Sequence, residues 1–252
     1  TELSSAAGEA KSLEETKYDL ALAYRILANE GVLDTFGHVS VRHPARPDRY
    51  FLSRSRAPEL VEPDDLIEYD LESVPVSPSN MEPYSERVIH GEIFKARPDV
   101  MAVCHHHADA FMPLIVTKTD YVPVVHLGSV GGQNPPWWDQ RANFGDTNYL
   151  VVNSEEGGSL AEALGDHMMV MMNRHGVTVA GSNLIDLVFR CVYSCRNAEY
   201  QTQASLSGDI DPLTKGDVDA GSGGGGMNRG YMRAWEHWTV RLAKNNWLPP
   251  KP

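Results

Sequence analysis

At 252 residues the chain is at the upper end of what one hydrophobic core supports, and 42% hydrophobic with 22% charged residues suits an ordinary globule. Its 22 basic and 34 acidic residues leave a formal charge of −12, which argues against non-specific nucleic-acid binding and against docking on an anionic membrane surface. No run approaches the roughly 18 consecutive apolar residues of a membrane span, and the opening TELSSAAGEAKSLEE lacks the charged-then-apolar pattern of a secretory signal. The three cysteines form no CxxC pair. Cys191 and Cys195, at helical i, i+4 spacing, and Cys104, in an apolar run, read as packing residues of a protein in a reducing cytoplasm.

In chain order, residues 13–31 carry apolar positions at helical period and end in a Gly suited to a C-cap. HVSVRHP follows with period-two Val39 and Val41, a short strand, and 50–53 is a second strand candidate. Pro63–Asp64–Asp65 opens a helical turn, and a Ser-, Pro- and Asn-rich loop runs from 73 to 84. Ser85–Glu86 marks a helix start, with Val88, Ile89, Ile93 and Phe94 as its apolar positions. Strands are predicted over 100–104, 121–127, 149–152, 168–172 and 177–180, a short helix over 159–164 and a long one over 184–206. GSGGGG at 221–226 predicts a flexible loop before a last aromatic helix over 231–242. With no repeat and no linker, one α/β domain covering 1–252 is expected, built on a mostly antiparallel sheet, with a C-terminal helical extension from about 207.

The strongest chemical signal is Cys104–His105–His106–His107. Residues two apart on a strand share a face, so His105 and His107 can hold one ion while His106 points away. Glu86, in the first helical turn, is a candidate third ligand; the bland alternative is a cap or a surface ion pair with His90 at i, i+4. His175, in the tight connection Asn173–Arg174–His175–Gly176 between two apolar strands, is a candidate fourth. One Glu and three His suit a divalent ion, Mn or Zn first and Fe or Co next, with a position left for substrate.

The ordered set Gly37–His38–Val39–Ser40–Val41, Ser85–Glu86 with His90, His105-x-His107 and Asn173–Arg174–His175–Gly176 resembles the class II aldolase/adducin family, from about residue 15 to about 205. The resemblance implies a three-layer αβα fold with a nine-stranded sheet and a homotetramer with active sites at subunit interfaces. It also implies one divalent ion per chain on Glu86, His105, His107 and His175, with Glu86 moving protons as well. Ser85 is carried over as a substrate contact. Tyr200 and the C-terminal helix could close over the site, with core packing as the plain alternative.

Departures from the family's sugar-phosphate aldolases redirect the chemistry. His38 replaces their phosphate-holding Asn, and Ser53–Arg54–Ser55–Arg56 replaces a small Gly-containing loop. Tyr84 replaces one of two serines, and Leu127 stands where their proton-donating tyrosine follows the equivalent of His126. A branch of the family that decarboxylates ring-hydroxylated aromatic acids is the better likeness. There Arg54 and Arg56 would grip carboxylates of a small aromatic substrate. His38 would either return a proton to the ring carbon or only hydrogen-bond a carboxylate. The competing expectations are an aldolase or epimerase of a non-phosphorylated hydroxy-acid, and an adducin-like scaffold without chemistry. Four filled ligand positions speak against the scaffold. Trp137 and Trp138 are read as interface packing, and the Met168–Met172 cluster as strand core.

Overall fold

A computed structural model of the chain describes residues 12–222 and 225–251. Ser12 accepts the Glu15 N–H while Glu15 accepts the Ser12 N–H, a reciprocal cap that starts α1 (Leu13–Asn29). The strands that follow are β1 (His38–Arg42), β2 (Arg49–Ser53), β3 (Leu66–Asp70), β4 (Ala102–His106), β5 (Trp137–Trp138), β6 (Met169–Met172) and β7 (Gly176–Gly181). They form one seven-stranded sheet in the order β3-β2-β1-β4-β7-β6-β5. Every pairing is antiparallel except β5 with β6.

Period-two alternation divides the apolar side chains between the two faces of this sheet. Val39, Val41, Phe51, Ala102, Cys104, Met169, Met171, Val177 and Val179 pack in one core with α1 and α6 (Leu184–Ser205). Tyr50, Leu52, Val103, Val170, Met172 and Ala180 pack in the other, with α2 (Val88–Ala96) and α5 (Ser154–Leu164). The same parity decides the site: His38, Ser40, His105 and Thr178 fall on the α2 side, and His106 on the α1 side. All three cysteines are buried and unpaired, as their apolar surroundings predict.

Among the described residues the sheet has seven strands and not the nine that the resemblance implies, and two segments expected as strands are not strands. Over 121–127 the backbone is taken by amide side chains of α6. Val122 and Val124 N–H donate to Gln201 Oε1 (3.0 Å) and Asn197 Oδ1 (2.8 Å), and the Val122 carbonyl accepts Asn197 Nδ2 (2.8 Å). Over 149–152 the N–H groups of Leu150, Val151 and Val152 donate to Asn148, Glu86 and Glu156 side chains. An apolar run needs a neighbouring backbone to become a strand, and here side chains satisfy it first.

Other boundaries shift. The strand expected over 100–104 runs to His106, the helix expected at 159 begins at Ser154, and β3 lies where the sequence predicts no strand. Trp137 and Trp138 form β5 rather than a loop, with Trp138 buried and donating to Ser159 Oγ at 3.0 Å. The glycine tract is not one loop: 221–222 end α7 (Lys215–Ser222), 225–226 begin α8 (Gly225–Lys244), and 223–224 lie outside the described residues. Glu30, at the end of α1 with its side chain 4% exposed, accepts Arg196 of α6 (3.1 Å) and Arg241 of α8 (2.6 Å), fastening the last helix to the body.

Candidate metal centre

Two glycines let the site's chain segments approach. Gly37 has φ +91°, and a Cβ there would lie 2.6 Å from Leu33 and 3.0 Å from the His105 carbonyl. A Cβ on Gly176 would meet the His106 carbonyl at 2.4 Å and His107 at 2.8 Å. Small residues at these two places bring β1 and the β6–β7 turn against the end of β4.

The structure brings ligand atoms of Glu86, His105, His107 and His175 within 4.8 Å of one another. Glu86 comes from a 3-10 turn, Ser85–Arg87, that leads into α2. His105 is on β4, His107 directly follows that strand, and His175 sits in the turn between β6 and β7. His105 Nε2 is 3.0 Å from His107 Nε2 and 3.2 Å from His175 Nε2. The Glu86 carboxylate lies 3.5 Å from His175 Nε2 and 3.8 Å from His105 Nε2. Ligands held at about 2.0–2.1 Å on a tetrahedral ion stand roughly 3.3–3.4 Å apart, the scale of these separations.

Protonation favours the same occupant. Burial first, then the other imidazoles, pushes His105 well below the ordinary histidine range. Burial pushes His107 down to about 4 and lowers His175. Burial raises the Glu86 carboxyl, but His38, His175 and the Val151 N–H donated at 2.9 Å outweigh it, leaving the group below the usual range. Neutral imidazoles with an ionised carboxylate are the forms that ligate a cation. Thr178 adds orientation. Its hydroxyl donates to Met172 Sδ (3.2 Å), so its oxygen accepts His105 Nδ1–H (3.1 Å) and leaves the Nε2 lone pair directed into the cluster. The donor set, spacing and tautomer fit a divalent ion.

His106 points away, as the alternation predicts, and packs against Phe111. His38 is buried beside the cluster with Nε2 3.9 Å from Glu86 Oε2, and its ring touches Tyr84 and His105. The two arginines are paired with acidic side chains of their own loop. Asp65 accepts Arg54 Nε at 2.7 Å and Arg56 Nη1 at its other oxygen, and Glu62 lies 3.6 Å from Arg56. Their loop still borders the site, because Tyr84 donates to the Arg56 carbonyl (2.5 Å) while its ring lies tilted against that of His38. Ser85 is exposed. Tyr200 is 45% exposed on α6, and among the described residues no hydrogen bond, ion pair or ring contact links it to the cluster.

Sequence reasoning undervalued His90. It is not a surface partner of Glu86 but fully buried, bonded to His38 Nδ1 (2.7 Å) and Ser40 Oγ (2.6 Å). The signal was present: β1 alternation puts Ser40 on the face of His38, and i+4 spacing puts His90 one turn beyond Glu86.

Comparison with known proteins follows the same line. Residues 18–202 match the family profile described as Class II Aldolase and Adducin N-terminal domain. Decarboxylase tropJ of Talaromyces stipitatus is 35% identical over 190 residues, covering 70% of this chain and 71% of that one. The 3,4-dihydroxyphthalate decarboxylase of Arthrobacter keyseri is 27% identical over 240 residues, covering 89% and 92%. An aldolase II superfamily protein from Pseudomonas syringae superposes with a TM-score of 0.77 over 94% of this chain and 96% of its own, at 18% identity, a likeness of fold alone. Among the described residues no helix is long and apolar enough to cross a membrane.

Proposed function

The chain belongs to the class II aldolase and adducin family, and from that premise we propose that it is a metal-dependent carboxy-lyase. Its reaction is the non-oxidative decarboxylation of a hydroxylated benzene or pyridine mono- or dicarboxylate. The observation that carries the reading is the convergence of Glu86, His105, His107 and His175, neutral nitrogens and one carboxylate, in a chain whose relatives include named decarboxylases. One divalent ion per chain, Mn or Zn with Fe or Co as alternatives, would be held by those four side chains. When bound it supplies Lewis-acid stabilisation of the negative charge that develops as CO2 departs.

The chain's own residues do the rest. Glu86 sits where it can accept or return a proton beside the substrate, its second oxygen anchored by the Val151 N–H. His38 supplies a nitrogen on the same side, within reach of a bound carboxylate. Of the two arginines, Arg54 is the better grip for a second carboxylate: only its Nε meets Asp65, and its side chain is 36% exposed. Arg56 then orders the loop, and Ser85 and Tyr200 act as outer contacts. We extend the reading to one domain over 1–252 with a helical extension from about 207, working in the cytoplasm as a homotetramer whose neighbouring chains complete each site.

Metal analysis of the purified protein with a CO2-release screen on hydroxylated aromatic mono- and dicarboxylates tests this. The expected result is about one ion per chain and CO2 from at least one ring acid. An aldehyde or ketone product without CO2 would overturn the decarboxylase reading, and an active monomer in sedimentation would overturn the shared sites.

A further inference from the structure

Behind the metal cluster lies a chain of three buried polar groups, Ser40 Oγ, the His90 ring and the His38 ring, joined by bonds of 2.6 and 2.7 Å. Donor and acceptor accounting gives it a direction. Ser40 is fully buried in the middle of β1, and among the described residues its hydroxyl has no hydrogen-bond partner other than His90 Nδ1. A hydroxyl in that position must donate, since a buried O–H without an acceptor costs stability. Ser40 therefore donates to a bare His90 Nδ1. The His90 proton is then on Nε2, and it is donated to His38 Nδ1. His38 is left with its own proton on Nε2.

A second observation agrees. His38 Nε2 is turned toward Glu86 Oε2 at 3.9 Å, and an ionised carboxylate offers only lone pairs. A bare nitrogen there would set lone pair against lone pair, whereas an N–H meets the carboxylate with the favourable sign.

We propose that Ser40 and His90 are positioning residues that hold His38 as the neutral Nε2–H tautomer, so that His38 meets the substrate as a fixed hydrogen-bond donor that keeps its proton. The chain ends on a buried hydroxyl with no route to solvent. Surrender of the Nε2 proton would have to be repaid at Nδ1 from His90, and at His90 from Ser40, leaving a buried alkoxide. A proton added at Nδ1 would reverse both bonds and orphan the Ser40 hydrogen. Of the two roles the sequence leaves open for His38, the hydrogen bond to a carboxylate or developing oxyanion is the one this wiring serves. The tautomer stands on the hydrogen bonds alone, while its use in the reaction rests on the decarboxylase reading.

Solid-state ¹⁵N spectroscopy of the full chain, labelled at histidine and loaded with zinc, reads the tautomer without substrate. His38 is assigned by the signals lost in His38→Asn, or without mutation by the ¹⁵N–¹⁵N contact to His90 across 2.7 Å. The expected spectrum has His38 Nδ1 at the unprotonated position and Nε2 at the protonated one. Ser40→Ala, with unchanged zinc content, should split the His38 signals between two tautomers. A proton on Nδ1 in the unmodified protein, or a His38 spectrum indifferent to Ser40→Ala, would overturn the proposal. Nε2–H without CO2 release from any ring acid would sink the functional reading alone, and Nδ1–H with CO2 release would sink the tautomer alone.

Discussion

Two polar groupings neighbour each other on this molecule and differ in what they leave undone. In the first, Arg54 and Arg56 converge on Asp65: cations meet an anion, and the Glu62 N–H adds a bond. In the second, three imidazoles and a carboxylate converge with nitrogens facing nitrogens, each offering a lone pair to the same point. Buried polar atoms that satisfy each other are architecture. Neutral imidazoles gathered round an ionised carboxylate make a donor set, and its chemistry suits a divalent cation. The arginine loop looked functional in sequence because it replaced a family loop, yet its charges are largely spent. The His-x-His pair reads in sequence as a metal pincer, and its nitrogens do converge with His175 and Glu86.

The comparison can be broken at either group. The largest effect is expected from His107→Ala, which removes one of three nitrogens. Bound metal and turnover should both fall steeply, measured by metal analysis and CO2 release, because one of four donors is gone and the ion is held more weakly and out of place. A variant with its full complement of metal would remove His107 from the centre. Next comes Thr178→Val, which keeps the shape but takes away the acceptor of His105 Nδ1–H. Loss of such a partner should weaken metal affinity by roughly 10–100-fold in a competition titration, with the fold intact by circular dichroism.

The smallest effect belongs to the satisfied group. Burial raises Asp65, but the Arg54 hydrogen bond, the Glu62 N–H and Arg56 overcome it and hold the carboxyl below its usual range. A depressed folded-state value contributes stability at neutral pH that disappears as pH falls through it. Asp65→Asn should therefore cost about 1–3 kcal/mol in urea unfolding at pH 7, the range for a broken charge-assisted contact. The gap to the unmodified protein should close below about pH 4. Metal content should not change. Lost metal in Asp65→Asn with unchanged stability would reverse the roles assigned to the two groups.

Much of this was legible in the sequence, and the limits have physical causes. The parity of Val39 and Val41 identified β1 and the face carrying His38 and Ser40, and the His-x-His spacing identified two convergent rings. What failed depended on distant partners. Tyr121 to Val125 has the composition of a strand, and nothing local reveals that Asn197 and Gln201, more than seventy residues later, will take its backbone bonds. The pairing of Arg54 and Arg56 with Asp65 is equally hidden, because that carboxylate, about ten residues on, belongs to what reads as a plain helical turn. His90 was misjudged through burial, since its spacing to Glu86 suits a surface pair equally well.

The hold of α6 on residues 120–124 has a consequence for how such a protein can vary. A backbone ladder is nearly blind to side-chain identity, and among single replacements proline is the one that deletes a bond outright. Here the equivalent bonds come from two amide side chains, Asn197 and Gln201, so each is open to ordinary substitution. The attachment of this segment is thus written in the coding sequence residue by residue. Descendants of this chain can loosen or re-register the 120–124 segment by changing one position on a distant helix, leaving the sheet and the metal ligands untouched.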